Sequence, residues 1–386
     1  MKKLKHISLL CLLMAVANPE CFSAKPAKSA NPVKPTETAR RIVDKNATPE
    51  TKALLANLWL LQQKGVMFGH HDYPTYGIGW QDEPGRSDVK DIVGDHPAVY
   101  SLDLREIHAK IENVKEAYRR GGVIMICWHQ NNPLTERPGQ PHGKGPGGPW
   151  DNTKVVDRIL EGGSPMNVKY KKRLDAAAEA FRAMVDDNGK PIPVIFRPLH
   201  EHTQTWNWWG KAATDESEFI SFWRFIIKYL RDEKGIHNLL YAISPQMDAV
   251  YKNTEERLLY RWPGDEWVDF LGMDCYHARK IDAFVSNVKA ISELSAKLQK
   301  PVGVTETGLP NNHPENYWTH NVLPALKGQT CSMVVTWRNS KVEHGFGPYP
   351  SDASAADFKV FYDDPHTIFE RNLPDMYKMP EGIQVR

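Results

Sequence analysis

The sequence predicts a single-domain (β/α)8 barrel, of the α/β TIM-barrel class, on three observations. Eight short apolar runs recur along the chain, and amphipathic or loop stretches separate them. The runs are rich in Val, Ile and Leu and mostly apolar on both faces, as buried parallel strands should be. Polar and aromatic residues gather at their C-terminal ends, which in such a barrel share one rim.

In chain order, Lys2, Lys3 and Lys5 precede an apolar run from Ile7 to Ala17, with Ser23 and Ala24 behind it. This reads as an export signal over residues 1–24, too short to span a bilayer, so the mature protein is expected outside the cytoplasm, extracellular or periplasmic. Cys11 and Cys21 lack the small residues that should precede a lipidated Cys, so lipid anchoring is not favoured. Residues 25–40, rich in Pro, Lys, Ser and Thr, predict a flexible leader, and 41–386 the barrel itself. The strand runs are 66–72, 98–103, 122–130, 192–201, 238–245, 268–276, 301–309 and 331–339. Segments 169–187, 217–234 and 282–299 carry the helical pattern between them. The longest interval follows the third run. It contains residues 131–167, stiffened by Pro133, Pro138, Pro141, Pro146 and Pro149, and predicts a cleft wall or lid. Residues 344–350 are a second loop able to close one end of a cleft.

Composition narrows the function. The 386 residues carry a formal charge of +2, and without residues 1–24 the basic and acidic residues balance. That gives no reason to expect a nucleic-acid partner. Beyond the export segment no membrane-spanning stretch is visible, and a monomer is expected. Cys127, Cys275 and Cys331 are an odd set in strand-like runs, which predicts buried free thiols. There is no G-x-S-x-G elbow, P-loop or dinucleotide fingerprint. His200-Glu201-His202 is not H-E-x-x-H, because residue 204 is Gln, so neither a catalytic metal nor another cofactor is expected.

Cleaving a glycosidic bond needs two carboxyl groups astride it. Glu201 ends the fourth run, in VIFRPLHEHTQTWNWWG, and Glu306 lies near the end of the seventh, in KPVGVTETG. Strand alternation is read as pointing both inward: Ile195, Arg197, Leu199 and Glu201 share one parity, as do Val302, Val304 and Glu306. Spacing alone leaves open whether such an enzyme retains or inverts.

The segment RPLHEHTQTWNWWG resembles the acid/base signature of glycoside hydrolase family 26, which includes many β-mannanases. MFGHHD, the run from His129 to Pro133, GDEWVDFLGMDCY, VTETG and VVTWRN are similar to that family's motifs in order and spacing. The resemblance covers about residues 40–386. It implies retention by double displacement, with Glu201 as acid/base and Glu306 as nucleophile. It also implies sugar contacts from His129, His200, Trp206, Tyr276, Trp337 and Arg338. Arg197 and Asp274 are expected to support the pair, and Trp150, with Trp80, to form outer subsites. Trp209 is expected to be packing. The substrate implied is mannan, glucomannan or galactomannan, cut within the chain. Alternatives are a mannobiose-releasing enzyme, a hydrolase of mixed-linkage β-glucan or β-1,3-xylan, and a non-catalytic glycan-binding protein.

Overall fold

A computed structural model describes residues 39–137, 145–276, 281–311 and 313–386. The expected export signal, nearly all of the expected leader, and Pro138 and Pro141 of the long loop lie outside the described residues. Arg40, the last residue assigned to the leader, is not free: it is buried, bridges to Val385 and donates to Gln299 Oε1 at 2.9 Å.

Eight parallel strands close into the barrel. They are β1 (Val66–His71), β2 (Val99–Asp103), β3 (Val123–Cys127), β4 (Val194–Arg197), β5 (Leu239–Ile243), β6 (Phe270–Tyr276), β7 (Val302–Gly308) and β8 (Met333–Thr336). Each pairs with the next, and β8 pairs with β1, which leaves no open edge inside the ring. A two-residue strand, Thr367–Ile368, adds to the outside of β1 at its N-terminal end. All eight expected runs are strands, trimmed by a few residues at both ends.

Two apolar layers hold the ring. Inside it, Met67, Val99, Met125, Ile195, Leu240, Phe270 and Met333 pack together. The helix Pro49–Leu61 seals the N-terminal end by adding Leu54, Leu55, Leu58 and Leu61 to that cluster. Its start is fixed by Pro49 in the first turn and by Thr48, whose side chain accepts from the Thr51 N–H. Between strands and helices lies the larger layer, with Phe68, Leu102, Ile126, Phe196, Tyr241, Val302 and Val304 facing Phe181, Phe222, Ile226, Ile291 and Phe358. Cys127, Cys275 and Cys331 are buried free thiols, as expected.

Two departures from the sequence reading bear on the rim. Between β6 and β7 the register slips: Met273 opposes Val304, but Asp274 opposes Glu306. The extra residue, Thr305, is a bulge, and it reverses the alternation beyond it. Val302 and Val304 therefore face the helices, and Glu306 faces the barrel interior. The shared parity that was read for these three residues does not exist. Gly272 makes room for the bulge, since a Cβ there would lie 2.6 Å from the Thr305 side chain. Likewise β4 ends at Arg197, Leu199 packs in the outer layer, and Glu201 sits in a turn at φ 54°. A turn, and not strand alternation, aims it.

The long interval after β3 is less irregular than expected. It contains a helix over Val156–Leu160, and a second helix starts at Pro165, capped by the Ser164 side chain.

Candidate active site

The geometry is built outward from Arg197, whose side chain is fully buried at the end of β4. One guanidinium nitrogen donates to both oxygens of Asp274 at 2.6 and 2.5 Å; another donates to Glu306 Oε1 at 3.1 Å. The Nε donates to Ser244 Oγ at 3.0 Å. Glu306 Oε2 accepts from the Tyr276 hydroxyl at 2.8 Å, and Asp274 accepts from Thr305 Oγ1 at 2.7 Å. Both oxygens of Glu306 are thus bonded, one by a donor on β4 and the other by a donor on the adjacent β6. The bulged Thr305 serves twice: it turns Glu306 inward and fixes the Asp274 beneath it.

Glu201 stands opposite, partly buried, on the turn that follows β4. Its backbone N–H donates to Ser244 O at 2.8 Å, and its Oε2 accepts from the Trp206 indole at 3.1 Å. Burial and the charge of Glu306 push its carboxyl up to about 8, against the pull of His129 and Trp206. At that value the carboxyl is mostly protonated at neutral pH. One oxygen each from Glu201, Asp274 and Glu306 lies within 4.8 Å of the others. That proximity is compatible with the approximately 5–5.5 Å separation of a retaining pair.

A histidine pair flanks the carboxylates. Asp103 accepts from His129 Nδ1 at 2.6 Å, and His129 Nε2 lies 3.0 Å from His200 Nε2. Burial alone would lower His129, but the Asp103 hydrogen bond and charge hold it above its ordinary value. Burial and the neighbouring His129 push His200 far down. The consistent assignment makes His129 the cation, donating to both partners, and His200 a neutral acceptor.

Two groups could be mistaken for a metal centre: Glu201 with Asp274 and Glu306, and Asp103 with Cys127 and His129. In the first, the Arg197 guanidinium already supplies the cation between Asp274 and Glu306. In the second, burial pushes the Cys127 thiol far up and keeps it protonated, and Asp103 already binds His129 Nδ1. Neither donor set suits a divalent ion.

Beside the pair opens a cavity of about 360 Å³. His129, Trp337, Trp150 and Arg338 line it, together with Asp72, Asp103, Arg105, Glu106 and His344. Trp337 packs on His71 with ring centres 4.1 Å apart, and Trp150 is 38% exposed. The structure thus gathers the expected site residues on one rim. Trp206 and Tyr276 bond the two carboxylates, and Trp337, Arg338 and Trp150 line the cavity. Trp208 and Trp209 are buried and donate to the backbone oxygens of Gln130 and His200, so they are packing. Trp80 is also buried, with its indole on Asp88 at 2.7 Å, and offers no free ring face for an outer subsite. Asp72, Arg105, Glu106 and His344 were not singled out. Asp72 was visible only as a rim residue, and Arg105 and Glu106 only as neighbours of Asp103. His344 is the part of loop 344–350 that reaches the cavity.

A family model described as Glycosyl hydrolase family 26 matches residues 43–368. A mannan endo-1,4-beta-mannosidase from Bifidobacterium adolescentis is 30% identical over 80% of this chain, and the chain spans 31% of that relative's length. One of the same description from Bacillus subtilis is 25% identical, covering 79% of this chain and 80% of its own. Among solved structures, a GH26 beta-mannanase from Bacteroides ovatus is 36% identical with a TM-score of 0.79, covering 86% of this chain and 98% of that one. A modular endo-beta-1,4-mannanase from Cellulomonas fimi is 29% identical with a TM-score of 0.78, covering 90% and 81%.

Proposed function

The chain belongs to glycosyl hydrolase family 26, and from that premise we propose that it cuts β-1,4-mannosidic bonds within mannan, glucomannan or galactomannan chains by double displacement, with Glu201 as acid/base and Glu306 as nucleophile. The observation that carries this reading is the close carboxylate pair: Glu306 doubly bonded by Arg197 and Tyr276, and Glu201 kept protonated beside it.

In the first step Glu306 attacks the anomeric carbon while Glu201 gives its proton to the departing oxygen. Esterified Glu306 carries no charge, so one of the two main causes raising Glu201 disappears. Glu201 then becomes a competent base and takes a proton from the water that releases the sugar. Arg197 keeps Asp274 as its partner throughout, which spares the site an unpaired buried cation when the ester forms. His129, His200, Trp206, Tyr276, Trp337, Arg338 and Trp150 are the residues we assign to sugar binding. Aromatic faces suit the C–H faces of pyranose rings, and guanidinium, imidazole and hydroxyl groups suit their hydroxyls. Export through residues 1–24 and action as a monomer belong to the same reading. Among the described residues no helix is long and apolar enough to cross a membrane.

The test compares the purified protein with Glu201→Ala and Glu306→Ala on linear mannan, galactomannan, mixed-linkage β-glucan and β-1,3-xylan. A ladder of mannan oligosaccharides from the parent alone, released first as the β-anomer, supports the whole reading. First release of the α-anomer would overturn the mechanism, and activity confined to another glycan would overturn the substrate.

A further inference from the structure

We infer that Lys110 is a positioning residue for the end of the substrate cavity away from the carboxylate pair, a role that rests on the glycosidase reading of the site. The two ends can be told apart by their hydrogen-bond partners: His129 meets His200, the residue before Glu201, at 3.0 Å, whereas Arg338 bonds Tyr76, which in turn bonds Asp72. Lys110 projects from the helix Ile107–Arg119 and is only 4% exposed. Its ammonium lies 2.5 Å from Asp72 Oδ1 and 2.5 Å from Glu106 Oε2. The other Asp72 oxygen accepts from the Tyr76 hydroxyl at 2.6 Å, and Arg338 donates to that hydroxyl at 3.4 Å.

Asp72, Glu106 and Arg338 line the cavity, whereas Lys110 does not. One buried cation therefore ties together the end of β1, the first turn after β2 and, through Tyr76, the end of β8. Asp72 takes part from a left-handed backbone, at φ 58°, which a non-glycine residue keeps only when its surroundings enforce it. A buried ammonium with one carboxylate on each side is held by both and in turn keeps them apart. Without it the two carboxylates lose their common anchor, and Arg338 loses the fixed hydroxyl it donates to. The alternating acceptors and donors they present would then no longer match the hydroxyls of a sugar unit removed from the bond being cut.

The experiment measures kcat/KM on linear β-1,4-mannose oligosaccharides from the disaccharide to the hexasaccharide, for the parent, Lys110→Met, Lys110→Arg and Tyr76→Phe. Lys110→Met should lose roughly tenfold more on long substrates than on the shortest one cleaved, mainly through KM, the scale set by a small misplacement of binding groups. Lys110→Arg should recover part of the loss. Because Lys110→Met leaves Asp72 buried without its cation, Tyr76→Phe is the control. It keeps the ion pairs, cuts the link to Arg338, and should shift the length dependence in the same direction. An equal loss at every length in Tyr76→Phe, or no loss in any variant, overturns the inference. A parent protein that cleaves none of the series overturns the β-1,4-mannan substrate reading instead.

Discussion

Arg197 and Glu306 are joined by a single 3.1 Å hydrogen bond, while the same guanidinium grips both oxygens of Asp274. The nucleophile candidate is thus the lighter partner of a buried cation that is anchored elsewhere. Lysine cannot reproduce this, since a point charge lacks the planar fork that serves both carboxylates. Arg197→Lys should fold, yet lose about 10²-fold in kcat with little change in KM, the usual scale for a displaced catalytic group. Steady-state kinetics on mannan checks it; a loss confined to KM would remove Arg197 from the account.

Glu201 must be protonated to act as acid, and its carboxyl stands at about 8. The alkaline limb of kcat/KM should therefore lie near that value. The Trp206 indole bond pulls the carboxyl down. Trp206→Phe removes that bond and should move the limb to higher pH, besides weakening substrate binding. A limb that stays put or moves to lower pH contradicts the role given to this hydrogen bond.

Burial pushes His70, His96 and His202 down to about 3 each from an ordinary value near 6.5. The unfolded chain takes up protons as pH falls through 6.5, and the folded chain does not until about 3. The stabilising difference is therefore complete above 6.5 and is lost progressively as pH falls through that window. Urea unfolding should show stability declining steadily below neutrality. His202→Gln, which cannot acquire charge, should flatten that slope; an unchanged slope would assign acid sensitivity to other groups.

Trp209 and Trp150 should separate packing from binding. Trp209 is fully buried with its indole on the His200 carbonyl, so Trp209→Ala should cost roughly 3–5 kcal/mol of stability by leaving a cavity. Trp150 is exposed on the cavity wall, so Trp150→Ala should leave thermal stability nearly unchanged and raise KM on polymeric substrate several-fold. Thermal unfolding alongside kinetics resolves the two, and a large stability loss at Trp150 would make it a structural residue.

Much of the fold was legible because buried parallel strands read as continuous apolar runs, and because their C-terminal ends collect the polar residues. What failed was the finer inference from alternation. Counting by twos to Glu306 assumes an unbroken strand, and a bulge leaves no mark in the period. Counting to Glu201 assumes that β4 continues past Arg197, where the chain instead turns. Both residues face the site, each by a local device that the pattern does not encode. Lys110 was invisible for a related reason. On a helix rich in charge it reads as one more solvated side chain, and only the approach of Asp72 from another strand buries it. Trp80 and Trp209 share a residue type with Trp150, and only tertiary contacts sort them.

The Thr305 bulge also sets a limit on transplanting this chemistry. A designer who grafted both glutamates onto an idealised barrel of even strands, copying their residue separations, would send the equivalent of Glu306 into the helical shell. The portable unit is not a pair of acids but the irregular β7 together with the glycine at position 272 that accommodates it. By the same logic, Gly272→Val, which fills the space the bulge needs, should erase turnover while every active-site side chain is still present in the sequence, a lesion that no comparison of catalytic residue identities would flag.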